Sequence, residues 1–139
     1  MAILDPLKFL RTVLRANAAF SILSGIVMVA GGATLGAWLG KPASIAPDGA
    51  VLLVFAAVIL WITRTEAVNL KAAGIVVVLD AVYVVDTARQ ILTAQVSPAG
   101  NWFYGVATLV VLGLAVMQLS GVLMAARARS VDAAQRAPG

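Results

Sequence analysis

Asp80 is an acidic residue set inside an apolar run that extends from Ala72 to about Val96. An ionisable side chain in such a run costs about 2.5–3.5 kcal/mol to insert into a bilayer and marks a functional position by default. Counted inward from the nearest basic flank, Asp80, Ser24 and Gln118 share a depth of about 12–13 Å at the helical rise. Four packed helices would bring the three into one layer, where the Gln118 amide and the Ser24 hydroxyl can donate to a carboxyl. Asn17 lies nearer the flank on the same side, within reach of lipid headgroups beside Arg15, and Tyr83 follows Asp80 by one helical turn. Such a layer admits three kinds of chemistry. A neutral carboxyl clamps helices by hydrogen bonds, a charged one carries a proton or cation along a path, and either can meet a partner subunit.

Asp86 comes six residues after Asp80, about 240° around a helix, so the two acids face different ways. Asp86 has surface partners of its own, Arg89 at i+3 and Gln90 at i+4. The pair Asp86–Arg89 reads as an internal ion pair near one interface, or more sharply as a gate or anion site there. The chain contains no Cys and no His. That removes thiolate and imidazole metal sites, histidine-ligated haem and Ser–His catalysis. With no phosphate loop and no nucleophile–base pair either, the chain reads as non-enzymatic and without a cofactor.

The elements that must position these residues follow from composition. Of 139 residues 62% are apolar and only 12% charged, against about 45–50% and about 25% in a soluble domain. Lipid accepts such a surface where water does not. The expected fold is all-α: a polytopic membrane protein, a bundle of four transmembrane helices over residues 16–39, 48–64, 72–96 and 102–126. Gly40-Lys41-Pro42, Pro47-Asp48-Gly49 and Ser97-Pro98-Ala99-Gly100 read as the turns between them. Residues 1–15 read as a separate amphipathic, basic helix lying at the membrane surface, opened by Asp5 as N-cap and Pro6. Residues 127–139 read as a frayed tail. Eight basic residues (Lys8, Arg11, Arg15, Arg64, Lys71, Arg127, Arg129, Arg136) fall on one side, and only Lys41 and Arg89 on the other. That bias places both termini in the cytoplasm, with a bacterial inner membrane as the location. Trp38, Trp102, Phe103 and Tyr104 would belong to the outer interface and Trp61 to the inner one. The net charge of +4 points to anionic lipid headgroups rather than nucleic acid.

Small residues set how membrane helices approach one another. Gly32, Gly36 and Gly40 recur at spacing four, and Gly105, Gly113 and Gly121 at spacing eight, which suggests two packing faces, within the bundle or toward a homo-oligomer or larger membrane complex. A faint repeat pairs Gly25-Ile26-Val27 with Gly74-Ile75-Val76, and Pro47-x-Gly49 with Pro98-x-Gly100, as a duplicated helical hairpin would.

The segment Leu14 to Gly25, containing Arg15, Asn17, Phe20, Ser21, Ser24 and Gly25, together with Asp80-x-x-Tyr83-Val84, resembles small uncharacterised bacterial membrane proteins of four helices. The resemblance implies the fold and points to Arg15, Asn17, Ser21, Ser24 and Asp80. It implies no activity. Two functions remain: an accessory or assembly subunit acting through protein contacts, and a small oligomeric transporter or channel using Asp80 with Gln118.

Overall fold

The computed structural model describes residues 5–41 and 43–138. They form four α-helices: α1 (Pro6–Leu39), α2 (Ile45–Ile62), α3 (Leu70–Leu92) and α4 (Pro98–Arg136). Three of them, α1, α2 and α4, are long and apolar enough to cross a membrane. α3 has 23 residues, about 34 Å at the helical rise, and carries Lys71, Asp80, Asp86 and Arg89. α1 packs against α2 and α4, and α3 packs against α4, whereas α2 and α3 barely meet. The bundle is therefore closed on three seams and loose on the fourth.

Local chemistry explains where the helices begin. Asp5 Oδ1 accepts from the Leu7 and Lys8 amides at 3.0 and 3.3 Å, with Pro6 at the first helical position. Asn69 Oδ1 accepts from the Lys71 and Ala72 amides at 2.9 and 3.2 Å. These side chains satisfy backbone donors that a helix start leaves orphaned. Ser97 does more. Its Oγ accepts from the Gly100 amide at 3.0 Å and donates to the Trp38 carbonyl at 2.7 Å, joining the start of α4 to the end of α1.

Several boundaries differ from those expected. The basic segment is the first three turns of α1 rather than a separate surface helix, because Leu10 and Leu14 are fully buried against the bundle. Ser97-Pro98-Ala99-Gly100 opens α4 instead of forming a turn, since a serine cap followed by proline at the first position starts a helix. Pro47-Asp48-Gly49 likewise lies inside the first turns of α2. Residues 127–136, expected to fray, continue α4 as an exposed helix. Residues 1–4, and Pro42 of the expected first turn, lie outside the described residues.

The glycines do not form the two expected faces. Eight residues overshoot two helical turns by about 80°, so Gly105, Gly113 and Gly121 drift around α4. Only Gly121 packs closely, where an added Cβ would stand 3.1 Å from Leu10 Cβ; Gly105 and Gly113 have nothing within 4 Å. On α1, Gly36 is buried, Gly40 ends the helix with φ 83°, and Gly32 has non-helical φ 50° and ψ −140° that kinks it. The close seam is Gly25 on Gly49, where a Cβ on Gly25 would stand 2.8 Å from the Gly49 carbonyl oxygen. Their counterparts in the faint repeat behave differently: Gly74 has no close neighbour and Gly100 meets Leu39 of α1. The two hairpins therefore do not pack alike.

Candidate functional site

The core of the site is one carboxylate oxygen. α3 presents Asp80, α1 presents Asn17 and α4 presents Gln118. Asn17 Nδ2 donates to Asp80 Oδ2 at 2.7 Å, and Gln118 Nε2 donates to the same oxygen at 3.2 Å. Ser21 Oγ is 3.4 Å from Asn17 Oδ1 and fixes that amide so its nitrogen faces the acid. Asp80, Asn17, Ser21 and Gln118 are all buried, none more than 3% exposed. Hydrogen bonds to a charged group contribute about 1.5–3 kcal/mol each. Two of them offset an insertion cost of about 2.5–3.5 kcal/mol. Among the described residues no Lys or Arg pairs with Asp80; the ion pairs are Lys41–Asp48 and Arg89–Asp86. Gln118 Oε1 is buried and has no partner.

The layer differs in membership from the one expected. Asn17 occupies the place given to Ser24. The reason is depth: α1 begins at Pro6, not at Arg15. Asn17 lies eleven residues past Pro6 and Asp80 ten past Leu70, so the two stand at about 17 and 15 Å along their helices. Asn17 therefore reaches a buried acid and not headgroups. Ser24 is half-buried one turn beyond Ser21, on the wall of a cavity. That cavity, about 330 Å³, fills the gap left by the loose α2–α3 seam. Phe20 and Ser24 of α1, Phe55 of α2, Asp80 and Tyr83 of α3 and Phe103 of α4 line it.

A second hollow of about 300 Å³ adjoins it on the side away from the termini and shares Met28, Val51, Leu52, Tyr83 and Asp86 as walls. Four of its charged and amide side chains, Lys41, Asp48, Asp86 and Gln90, belong to one network. Arg89 Nη2 lies 2.9 Å from Asp86 Oδ1, and Gln90 Nε2 donates to Asp86 Oδ2 at 2.6 Å. Lys41 donates to Gln90 Oε1, lies 3.8 Å from Asp48 and stands 5.3 Å above the Tyr104 ring. Sequence reasoning missed Lys41, Asp48 and Tyr104, because Lys41 and Asp48 are far in the chain from Gln90 and Tyr104 and only the packing of the helices brings them together. Phe103 and Tyr104 turn inward and pack edge to face at 5.2 Å. The exposed aromatics of that end are Trp38 and Trp102 alone.

At the opposite end basic side chains are tied to the backbone, beside a surface hollow of about 480 Å³ lined by Asp5, Lys8, Arg11, Arg15 and Glu66. Arg11 Nε and Arg15 Nη2 donate to the Thr63 carbonyl at 2.8 and 3.3 Å, and Arg129 Nη2 donates to the Val68 carbonyl at 3.3 Å. These arginines complete the carbonyls at the end of α2 and in the following loop, as basic groups at a helix C-terminus do. Arg64 stacks over Trp61 at 4.8 Å. Among the described residues no three acidic groups converge as a metal site would require.

Comparison with models of known protein families, with curated proteins and with solved structures finds no match.

Proposed function

We propose that the chain is a non-enzymatic integral membrane protein of four spans that takes a small solute at Asp80 and hands it on along the α2–α3 side of the bundle. In this reading both termini lie on the cytoplasmic face of a bacterial plasma membrane. The basic residues of that end then meet anionic headgroups, and α3 is the span whose polar residues do the work. The resemblance to small bacterial four-helix membrane proteins fits this placement.

The observation that carries the reading is Asp80 at the floor of a 330 Å³ cavity, its carboxylate held by two amides and facing no protein cation among the described residues. A carboxyl that served only to clamp helices needs no such space beside it. All four helices of a single chain contribute to the cavity wall. The accessory-subunit reading rests on small-residue faces. Gly25, Gly40, Gly49, Gly100 and Gly121 all meet their own chain, which leaves Gly32, Gly74, Gly105 and Gly113, with the scarcity of chemical groups, as its support. A stoichiometric partner retained through extraction in mild detergent would favour it.

The test uses the absence of cysteine from the sequence. Ser24→Cys places a thiol on the cavity wall, and Ala18→Cys places one at a position with no exposure. In proteoliposomes a small neutral maleimide is expected to label the first at least ten times faster than the second. Equal rates would mean that solutes do not reach the Asp80 cavity, and the reading fails.

A further inference from the structure

We propose that the solute of the Asp80 site is an amphiphilic organic monocation, a single quaternary or protonated ammonium carried on an aromatic or branched apolar body. The proposal rests on the reading of the cavity as a solute site and specifies what enters it.

Four observations converge. The first is charge. Asp80 and Asp86 line the cavity, and no Lys or Arg does. Asp86 is already matched by Arg89 and Gln90, so the charge left for a ligand is that of Asp80. One negative charge calls for one positive charge. The second is the donor set. Asn17 and Gln118 turn their N–H groups to Asp80, which stabilises a carboxylate but, with Asp86 already paired, leaves a bare metal ion one free carboxylate and a few hydroxyls. Metal ions such as Ca²⁺ take about 6–8 oxygen ligands, and Mg²⁺ demands octahedral geometry. An ammonium on an organic body needs only a carboxylate on one side and a soft wall on the rest.

The third is the wall. Phe20, Phe55, Tyr83 and Phe103 come from all four helices and surround the same space. Aromatic faces attract ammonium groups, and quaternary ammonium recognition by clustered aromatics is the familiar outcome. A volume of about 330 Å³ is at the lower end of small-molecule pockets, about 300–1,000 Å³, and far exceeds the need of a monoatomic ion. The fourth is the mouth. Val51 of α2 and Val82 of α3 line the cavity and are 67% and 59% exposed. They stand on a surface that also exposes Val54, Val58, Val78 and Val85, with the exposed Asp86–Arg89 pair one turn beyond Val82. A ligand entering between them comes from the hydrocarbon phase and must itself be apolar over most of its surface. The polar hollow at the far end, where Asp48 and Asp86 outnumber Lys41, is where a cation would leave toward water.

The experiment measures protection of Ser24→Cys from maleimide in proteoliposomes by benzyltrimethylammonium. Its controls are neopentylbenzene, the same shape with carbon in place of the charged nitrogen, and sodium ion. The cation is expected to slow labelling at least ten-fold at saturation, with little effect from the neutral isostere and none from sodium at equal concentration. Asp80→Asn in the Ser24→Cys background is expected to raise the half-protecting concentration at least ten-fold. Phe55→Ala should raise it several-fold, reporting the aromatic wall separately. The comparison of cation with isostere is made on intact Asp80, so it stands even if Asp80→Asn fails to fold. Equal protection by neopentylbenzene would overturn the cation assignment and leave the solute site in place. No protection by either compound, with labelling still fast, would overturn the ligand class altogether. Absence of labelling at Ser24→Cys would instead remove the solute site on which the proposal rests.

Discussion

The two ends of the bundle are built from the same four helices and treat their polar residues in opposite ways. At the end that holds the termini, Leu10, Leu14, Ala18, Ile59, Val68 and Ala73 are fully buried in one cluster, and arginines are tied to loop carbonyls. At the other end α1 kinks at Gly32, α2 and α3 part, and the buried cluster of Met28, Leu39, Ile45, Val96 and Tyr104 sits beside two connected hollows. The Tyr104 hydroxyl there is buried without a partner. Charge at the first end ties loops to helices and lines a surface hollow outside the packed cluster, while charge at the second lines the hollow that adjoins the Asp80 cavity. Asp80 stands at the boundary, with packed core on one side and cavity on the other. A bundle that is tight throughout would be expected of a chain with only a scaffolding role. The asymmetry is what a site needs, with one rigid end to hold the helices and one open end to admit a ligand.

The largest effect that should sharpen this contrast lies at the tight end. Leu14→Ala removes a fully buried side chain and is expected to lower stability by about 2–5 kcal/mol, read as unfolding in a denaturing detergent. Val51→Ala on the cavity lip should change it by less than about 0.5 kcal/mol, and equal losses would erase the distinction between the ends. Next is Gly100→Ala. An added Cβ would stand 2.5 Å from the Leu39 carbonyl oxygen, beside the Ser97 link that joins α1 to α4. The expected loss is about 1–3 kcal/mol, measured in the same assay. If it is absent, the open end is loose even at its one firm joint. Gln118→Leu should cost about 1–2 kcal/mol, because one of the two donors to Asp80 is lost. It should also weaken cation protection of Ser24→Cys, and a stability loss with unchanged protection would separate the clamp from the site. The smallest effect has the opposite sign. Gly113→Ala meets nothing within 4 Å and should stabilise α4 by up to about 1 kcal/mol, the helix propensity difference. A loss there would show that something covers that face.

How far the sequence discloses this can be argued residue by residue. Four helices are legible from composition and from the Gly, Pro and Ser punctuation, and three of them are apolar enough to cross a membrane. Their starts were only half legible, because Ser97-Pro98 and Pro47-Asp48 carry the same residues whether they turn a chain or begin a helix, and only tertiary packing decides. Asp80 and Gln118 stood out as polar residues in apolar surroundings, and depth alone aligned them. Asn17 reads in the sequence as the shallow member of the candidate site, because Arg15 looks like the membrane boundary. In the fold Arg15 bonds the Thr63 carbonyl, so the basic turn belongs to the bundle and every depth on α1 increases. The glycines misled for a geometric reason, since a spacing of eight drifts around a helix while a lone pair, Gly25 and Gly49, makes the close seam. The loose seam between α2 and α3 has no signature in local sequence, because it is a contact that does not form.

Hydrogen–deuterium exchange of the full chain in lipid nanodiscs tests the asymmetry without any substitution. Amides of α3 beyond Asp80, and of α2 before Phe55, are expected to exchange measurably faster than those of Leu10–Ala18 and Ala73–Val76, and to slow when benzyltrimethylammonium is added. Uniform protection along all four helices, unchanged by the cation, would mean that the far end is as closed as the near one and would contradict a solute site at Asp80.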